Sequence, residues 1–418
     1  MVKHCSSMDS QLHKLTALKR IEPKGYLRYV FLFQLQDNYD LNQVARIIQA
    51  GYEALTDRIP EVACEAIPDP GSACVVVKDL RDSFASSYAE LKSRAFLVAS
   101  FDGDTLCRRS VWPSVGERLP ISFVQANFIR GGLLLTWCIL HMAGDGRSFY
   151  LWTKAWAEEC RRAQGLDVAE PIQFPDAIWN DRQQVMRPLR DNAGKLEDHP
   201  EYTLLAFTPA GAPPKMLSPS HRGQVFYFSS ESLAALKAES LPAHATEPSD
   251  QSWISTNNAL SALVWRTVMA RTDPKVHPDT LGCFLEYVAV SMLIRKMLST
   301  LNLADLAQLD DVDRLVPTAF LDVPGFNCVL TSRINFELYG LDWGSLPGSR
   351  IEAVRVPHVG CINGCQVVLP VLPDGGMEVV VGVEESCLHR LLEDPLLAKV
   401  WMSRCQKKTR PLLIQARK

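Results

Sequence analysis

The residues best suited to chemistry lie in the segment Leu133–Gly146, which reads LLLTWCILHMAGDG. An apolar run ends at His141, and Asp145 with Gly146 follows after three intervening residues. An imidazole has an ordinary pKa of about 6.5, so it is mostly neutral near neutral pH and able to accept a proton. His141 is therefore a candidate general base. A histidine at a strand end is more often structural, and Asp145 is equally suited to capping a helix.

The hydrophobic pattern places this segment between a buried strand and a helix. The apolar run Leu133–His141 predicts a strand that forms a hairpin with Ser122–Ile129 through the turn at Gly131-Gly132. An apolar stripe predicts a helix over Gly146–Arg162. Further strands are expected at Leu27–Leu35, Ala73–Val77, Gln224–Phe228, Gln366–Leu372 and Met377–Val383. Further helices are expected from Leu41 to before Pro60, from a Ser230 cap through Ala238, from about Ile254 to Arg271, and from Glu385. This mixture is typical of the α/β class.

Length and composition bound the class of protein. The chain has 418 residues, of which 47% are hydrophobic and 22% charged, enough for two domains with a sizeable core. We expect an N-terminal domain over 1–170, a crossover linker over 171–221 with many prolines, and a C-terminal domain over 222–418. The net charge of −3 argues against a nucleic-acid or membrane partner. No apolar run approaches the ~20 residues of a membrane-spanning helix.

Cysteine usage indicates the compartment. Twelve cysteines are scattered along the chain without CxxC spacing and without a His/Cys cluster. This pattern predicts reduced thiols, no metal site and a cytoplasmic location. The polar N-terminus does not resemble a secretory signal.

Longer blocks of sequence resemble one family. HMAGDG at 141–146 is similar to the HxxxDG motif of the BAHD acyltransferases, particularly their fungal branch. Four blocks follow the family's order and cover most of the chain: SFVQANFIRGGLLLTWCILHMAGDG (122–146), WISTNNALSALVWRTVMART (253–272), LYGLDWGSLPGSRIEAVRVP (338–357) and DGGMEVVVGVEESCLHRLLED (374–394). The third block resembles the family's DFGWG motif and the stretch after it.

The resemblance implies two chloramphenicol-acetyltransferase-like domains, with mixed sheets flanked by helices and an active-site channel at their interface. It implies a coenzyme A-dependent O- or N-acyltransferase in which His141 deprotonates a small-molecule alcohol or amine as that group attacks the thioester. Acetyl-coenzyme A is the expected co-substrate, and no tightly bound cofactor is expected. The protein is expected to be a monomer.

Supporting roles are implied for two aspartates and one lysine. Asp145 is implied to hold the loop of His141 by pairing with an arginine, and Asp342 to be the structural aspartate of the second motif. Lys237 matches a lysine near a coenzyme A phosphate, although a solvated lysine fits the pattern equally well.

Three hydroxyl residues complete the implied coenzyme A site. Ser255 precedes a helix and is expected first as its cap and second as a phosphate ligand. Thr331 and Ser332 match a pair that lies near the thioester in relatives, and ordinary strand or turn hydroxyls explain them as well.

The chain departs from the family in three places. Arg333 stands where plant members have a tryptophan after the Thr–Ser pair, and the second motif keeps only its Asp and Gly. The stretch between Arg271 and Asp342 is shorter than expected and lacks the arginine that usually pairs with the first motif's aspartate. The candidate partners of that aspartate are then Arg266 and Arg295, or it is unpaired.

Two alternatives stay open. A catalytically impaired or non-catalytic relative is favoured by the shortened stretch and disfavoured by the intact His141. A condensation-type domain of a peptide synthetase shares the fold and a similar motif. A pair of histidines is usual there, and Leu140 occupies the first of those positions here.

Overall fold

The structure is a computed structural model that describes residues 24–64, 74–114, 117–174, 196, 202–209, 211, 220–241, 253–272, 314–318, 321, 329–345, 347–357 and 364–400. The strands are β1 (Tyr26–Gln34), β2 (Val75–Asp79), β3 (Ser122–Ile129), β4 (Gly132–Leu140), β5 (Tyr202–Leu204), β6 (His221–Phe228), β7 (Leu315–Pro317), β8 (Val329–Ser332), β9 (Ala353–Arg355), β10 (Cys365–Val368) and β11 (Met377–Glu384). The α-helices are α1 (Leu41–Arg58), α2 (Tyr88–Ser93), α3 (Gly103–Leu106), α4 (Gly146–Ala163), α5 (Ser230–Glu239), α6 (Thr256–Thr272), α7 (Glu385–Leu392) and α8 (Pro395–Val400).

The first sheet has the strand order β2-β3-β4-β1-β9. β4 is antiparallel to both β3 and β1, and β2 is parallel to β3. Because successive side chains of a strand point to opposite faces, alternate residues of β1 and β4 enter one core with α1 and α4. Phe31, Trp137 and Trp156 lie in that core with no exposed surface.

The helix α1 shows how the sequence sets its own boundaries. Asp40 caps it, because its side chain accepts a hydrogen bond from the backbone N–H of Gln43 at 3.2 Å. Gly51 lets α4 approach closely, since a Cβ at this position would lie 2.5 Å from Sγ of Cys160. The helix ends at Arg58, before Pro60 begins a short 3-10 turn.

The second sheet has the order β6-β11-β10-β8, with β8 parallel to β10 and the other pairs antiparallel. Its valines alternate between two cores. Val379 and Val381 pack with α5, α6 and α7, whereas Val380 and Tyr227 face the core of the first sheet. The second sheet therefore separates the two cores and presents one face to the first half of the molecule.

One strand of the C-terminal half belongs to the first sheet. β9 pairs antiparallel with β1, and Val30 lies opposite Arg355. In addition, β5, from the span expected to be a linker, pairs antiparallel with β7. The domain boundaries at 170 and 221 stay a prediction, and the structure shows that segments from both sides of them share sheets.

The hairpin β3–β4, the helix from Leu41 and the helix from Gly146 confirm the predicted elements that frame the motif. Other bounds differ. The second strand is Val75–Asp79 rather than Ala73–Val77, and the cap of α5 is Ser229, whose side chain accepts from Ser232 N–H. β10 ends at Val368 rather than Leu372, because Pro370 has no N–H to donate to a ladder.

Within the described ranges, no helix combines the length and the apolar composition that crossing a bilayer requires. The stretch between Arg271 and Asp342 that is shorter than expected lies mostly outside the described residues.

Candidate functional site

His141 directly follows the last residue of β4 and opens the 3-10 turn His141–Ala143. Its side chain is half-buried, and its backbone N–H donates to the carbonyl of Gly25 at 2.9 Å. Gly25 immediately precedes β1, so the start of β1 and the end of β4 together fix the backbone of His141. The predicted position of His141 at a strand end is confirmed.

Asp145 caps the helix that follows the turn. Its Oδ1 accepts hydrogen bonds from both the N–H and the hydroxyl of Ser148, each at 2.8 Å. Glycines flank it where space is short, since a Cβ at Gly144 would lie 2.7 Å from Cβ of Ser148. One at Gly146 would lie 3.1 Å from the ring of Phe336. The cap by Asp145 and the small size of Gly144 and Gly146 therefore determine the conformation of this turn.

The expected arginine partner of Asp145 is absent from the described part of the chain. Arg266 instead forms an ion pair with Asp394, with 3.5 Å between Nη1 and Oδ2. Arg295 lies outside the described residues. The expectation that Arg266 pairs with Asp145 is wrong, because α6 places that arginine against the start of α8.

The second motif is bound to the far end of α4. Asp342 Oδ2 forms an ion pair with Nη1 of Arg161, and Oδ1 accepts from the N–H of Gly344 at 2.8 Å. The carbonyl of the buried Trp343 accepts from Nε2 of Gln164 at 2.8 Å. Gly344 has a φ of +81°, and a Cβ there would lie 2.1 Å from Gln164. This geometry fits the predicted structural role of Asp342.

The structure brings two of the predicted coenzyme A residues together at the N-terminus of α6. Ser255 caps this helix, because its Oγ accepts from the N–H of Asn258 at 3.1 Å. Ser332, at the end of β8, donates to Oδ1 of Asn257 at 2.7 Å. Capping, which was the first expectation for Ser255, is thus observed, and its role as a phosphate ligand stays a prediction.

Thr331 and Lys237 lie in the same half. Thr331 is exposed on the opposite face of β8 from Ser332, the face turned towards the first half. Lys237 is exposed on α5, which packs against α6. Among the residues that the structure describes, Lys237 contacts neither Ser255 nor Ser332 through its side chain, so its binding role also stays a prediction.

Arg333, which the sequence singled out only as a departure from the family, is buried against the first sheet. It follows β8, is 8% exposed, and its Cζ lies 4.5 Å from the ring centroid of Tyr29 on β1. Burial lowers the pKa of its guanidinium to about 10, against a smaller opposing effect of Cys365. The only signal in the sequence was that an arginine replaces the tryptophan of plant relatives.

The segment after Arg333 runs along the first half towards the turn of His141. The ring of Phe336 stacks on Tyr150 with centroids 5.6 Å apart, and it also contacts Gly146. Tyr29 stacks on Phe149 of α4 with centroids 4.1 Å apart. The residues after β8 therefore border the start of α4, next to the His141 turn.

Comparison with known proteins finds a family match in the N-terminal region. Residues 26–155 match the family "Trichothecene 3-O-acetyltransferase-like N-terminal domain". This part of the chain is therefore similar to the N-terminal domain of that family. It runs from the start of β1 into α4, so it contains both His141 and Asp145.

Two relatives cover most of this chain. The enoyl-CoA isomerase/hydratase claC of Penicillium crustosum is 27% identical over an alignment of 450 positions, which covers 91% of this chain and 50% of claC. The eremophilane O-acetyltransferase prx11 of Penicillium rubens is 23% identical over an alignment of 470 positions, which covers 92% of this chain and 97% of prx11. The chain therefore spans about half the length of claC and nearly all of prx11.

A solved structure shares the fold. The crystal structure of F. graminearum TRI101 complexed with coenzyme A and deoxynivalenol has a TM-score of 0.76 and 21% sequence identity. The match covers 93% of this chain and 98% of that chain. The predicted α/β fold class is confirmed by this match. The resemblance to BAHD-type acyltransferases is confirmed by the family match and by relatives that are named as acyltransferases.

Proposed function

We propose that the protein is a coenzyme A-dependent acyltransferase acting on a small specialised metabolite. Acetyl is the first acyl group to test, and a hydroxyl is the first acceptor group, with an amine as the alternative. The observation that carries the proposal is His141, fixed at a strand end by Gly25 and followed by a turn that Asp145 caps. The geometry occurs inside the part of the chain that matches an acetyltransferase family.

The comparisons support this chemistry from two directions. The TRI101 structure holds both coenzyme A and a trichothecene, and prx11 is named as an O-acetyltransferase. The name of claC refers to isomerase and hydratase activities, and only half of claC is matched by this chain. The match therefore does not show which part of claC carries the isomerase and hydratase activities.

The proposed reaction is direct transfer. The neutral imidazole of His141 accepts the proton of the acceptor hydroxyl while its oxygen forms a bond to the thioester carbonyl carbon. The tetrahedral oxyanion then expels the thiolate of coenzyme A, and the imidazolium returns its proton to that sulfur. General base catalysis of this kind contributes roughly 10²–10⁴-fold, and holding both substrates in line contributes more.

Other residues act by holding elements in place or by binding coenzyme A. Asp145 and Asp342 fasten the two ends of α4, the helix that begins directly after the His141 turn. We assign Ser255, Thr331, Ser332 and Lys237 to coenzyme A binding. The contact between Ser332 and Asn257 supports this assignment, because it joins β8 to the N-terminus of α6, where backbone N–H groups favour phosphate.

Two further properties belong to the proposal. We place the reaction in the cytosol, supported by the twelve cysteines that are scattered along the sequence without CxxC spacing. We also expect a monomer, which gel filtration with light scattering would test.

The test incubates the purified protein with acetyl-coenzyme A and a pooled extract of hydroxylated metabolites, and follows thiol release. The His141→Ala variant is expected to lose release by roughly 10²-fold or more. His389→Ala is the matched control, because His389 is an exposed histidine on α7. Release that survives His141→Ala would contradict the proposed mechanism. Coenzyme A binding without release with any acceptor would favour the non-catalytic relative.

A further inference from the structure

Arg333 carries a buried positive charge that has no anionic partner among the residues that the structure describes. The residue is 8% exposed, and its Nη1 is buried without a hydrogen-bond partner in the part of the chain that the structure describes. No carboxylate among those residues pairs with it. A guanidinium removed from water without an anion or full hydrogen bonding is costly, so such an arrangement is expected only where something else compensates it.

A second buried polar atom without a partner lies beside it. Tyr29 is 1% exposed, and its hydroxyl has no hydrogen-bond partner within the described ranges. The guanidinium of Arg333 lies over this ring, with its Cζ 4.5 Å from the ring centroid. This contact holds the side chain and leaves Nη1 available to an anion. Two adjacent donors, one of them cationic, match the two oxygens of a carboxylate.

Residues beside Arg333 are accessible to solvent. Thr331, two residues earlier on the same side of the strand, is exposed, and Cys365 on the neighbouring strand β10 is half-buried. These residues belong to the face of the second sheet that is turned towards the first half. The buried guanidinium therefore lies next to an accessible surface rather than deep in either core.

The distance to His141 suits a substrate. Tyr29 is paired with Trp137, which lies four residues before His141 along β4. At about 3.3 Å per residue, these positions are roughly 13 Å apart along the strand. That is about the length of a small metabolite or an extended acyl chain, so one molecule is able to reach from the reacting atoms at His141 to Arg333.

We propose that Arg333 binds the carboxylate of a substrate and so makes the enzyme selective for a substrate that carries one. This inference rests on the proposed acyl transfer. The carboxylate has two possible sources, the distal end of the acyl group on coenzyme A or the acceptor. Arg333 is a specificity-determining residue in this scheme and takes no part in proton transfer.

The experiment measures binding in two arms by calorimetry. In the donor arm, decanedioyl-coenzyme A is compared with decanoyl-coenzyme A, which has the same chain length without the carboxylate. In the acceptor arm, 10-hydroxydecanoate and 12-hydroxydodecanoate are each compared with their methyl esters in the absence of coenzyme A. Binding of free coenzyme A is measured separately.

A preference for the carboxylate of about tenfold or more is expected in one arm. Arg333→Gln is expected to abolish this preference while leaving binding of free coenzyme A unchanged, and Arg333→Lys to keep part of it. The matched control is Arg81→Gln, because Arg81 is a partly exposed arginine whose Cζ lies 5.8 Å from the ring centroid of Tyr39. Circular dichroism establishes that each variant is folded.

The arm that shows the preference identifies the source of the carboxylate. Equal binding within every pair in both arms would overturn the inference, and so would a preference that persists in Arg333→Gln. Failure to bind coenzyme A would count against the proposed function instead. The acceptor arm contains no coenzyme A, so carboxylate binding by Arg333 is still measured there when coenzyme A does not bind.

Discussion

Arg355 and Arg333 are both buried where the C-terminal half packs against the first sheet, and they are held in opposite ways. Arg355, at the end of β9, donates from Nη1 and Nη2 to the two carboxylate oxygens of Glu378 on β11, at 2.8 and 3.1 Å. Its Nε donates to the carbonyl of Phe96 at 2.7 Å. Both side chains of the pair are 1% exposed.

Arg333 has an aromatic ring in place of this network. Its guanidinium lies over Tyr29, and Nη1 has no hydrogen-bond partner in the described part of the chain. A buried charge whose hydrogen bonds are all made fixes how elements pack. A buried charge with an unpaired donor favours binding of an anion from a ligand. The difference assigns Arg355 to the architecture of the protein and Arg333 to its substrates.

The largest effect on stability is expected when Arg355 loses the carboxylate of Glu378. Glu378→Gln keeps the shape of the side chain but leaves the charge of Arg355 buried and uncompensated. We expect the free energy of unfolding to fall by about 3–5 kcal/mol. Urea denaturation followed by circular dichroism measures this change.

The double variant Arg355→Met with Glu378→Met is the control for this experiment. It removes both charges and keeps apolar volume, so most of the lost stability is expected to return. A double variant that is no more stable than Glu378→Gln would show that the fixed hydrogen bonds to Phe96 and Ala95, rather than charge compensation, account for the stability.

The opposite sign is expected at Arg333. Arg333→Met removes an uncompensated buried charge and still covers the ring of Tyr29. We therefore expect the free energy of unfolding to rise by about 1–2 kcal/mol, with a higher unfolding midpoint, in protein without substrate. Arg355→Met, measured beside it, is expected to destabilise. A loss of stability in Arg333→Met would make Arg333 a structural residue like Arg355.

Contacts between neighbours in the chain could be predicted from the sequence, whereas contacts between distant positions could not. Asp145 caps α4 through Ser148, three residues away, and this kind of local contact follows directly from residue types and spacing. The periodicity of β4 and α4 likewise predicted where His141 lies. These features depend on neighbours in the chain.

Long-range contacts leave no such pattern. Arg355 reaches Phe96 across 259 positions, and Asp342 reaches Arg161 across 181. The sequence predicted Asp342 to be structural only through the resemblance, and it did not indicate the helix that Asp342 fastens. The sequence indicated even less about Arg333, because its proposed role depends on the lack of a hydrogen-bond partner for Nη1 among the described residues.

A smaller effect is expected at the first aspartate of the motif. Asp145→Ala removes the cap of α4 and is expected to lower the free energy of unfolding by about 1 kcal/mol. Asp145→Asn is expected to retain most of that stability, since asparagine caps helices as well as aspartate does. Thermal unfolding of both variants measures this. If Asn destabilises as much as Ala, the charge of Asp145 is required, and a cationic partner outside the described residues would be indicated.

The smallest effect is expected at the ion pair between Arg161 and Asp342, whose side chains are 24% and 47% exposed. It joins Asp342 to α4, whereas Arg355 and Glu378 join β9 of the first sheet to β11 of the second. Water already solvates both charges of the pair between Arg161 and Asp342. Asp342→Asn keeps an oxygen that is able to accept from Gly344, so we expect a loss of no more than about 1 kcal/mol, diminishing as salt is added. Urea denaturation at low and high salt measures both parts of this expectation. A loss as large as that of Glu378→Gln would mean that an ion pair stabilises the fold irrespective of its burial. The contrast between Arg355 and Arg333 would then need another cause.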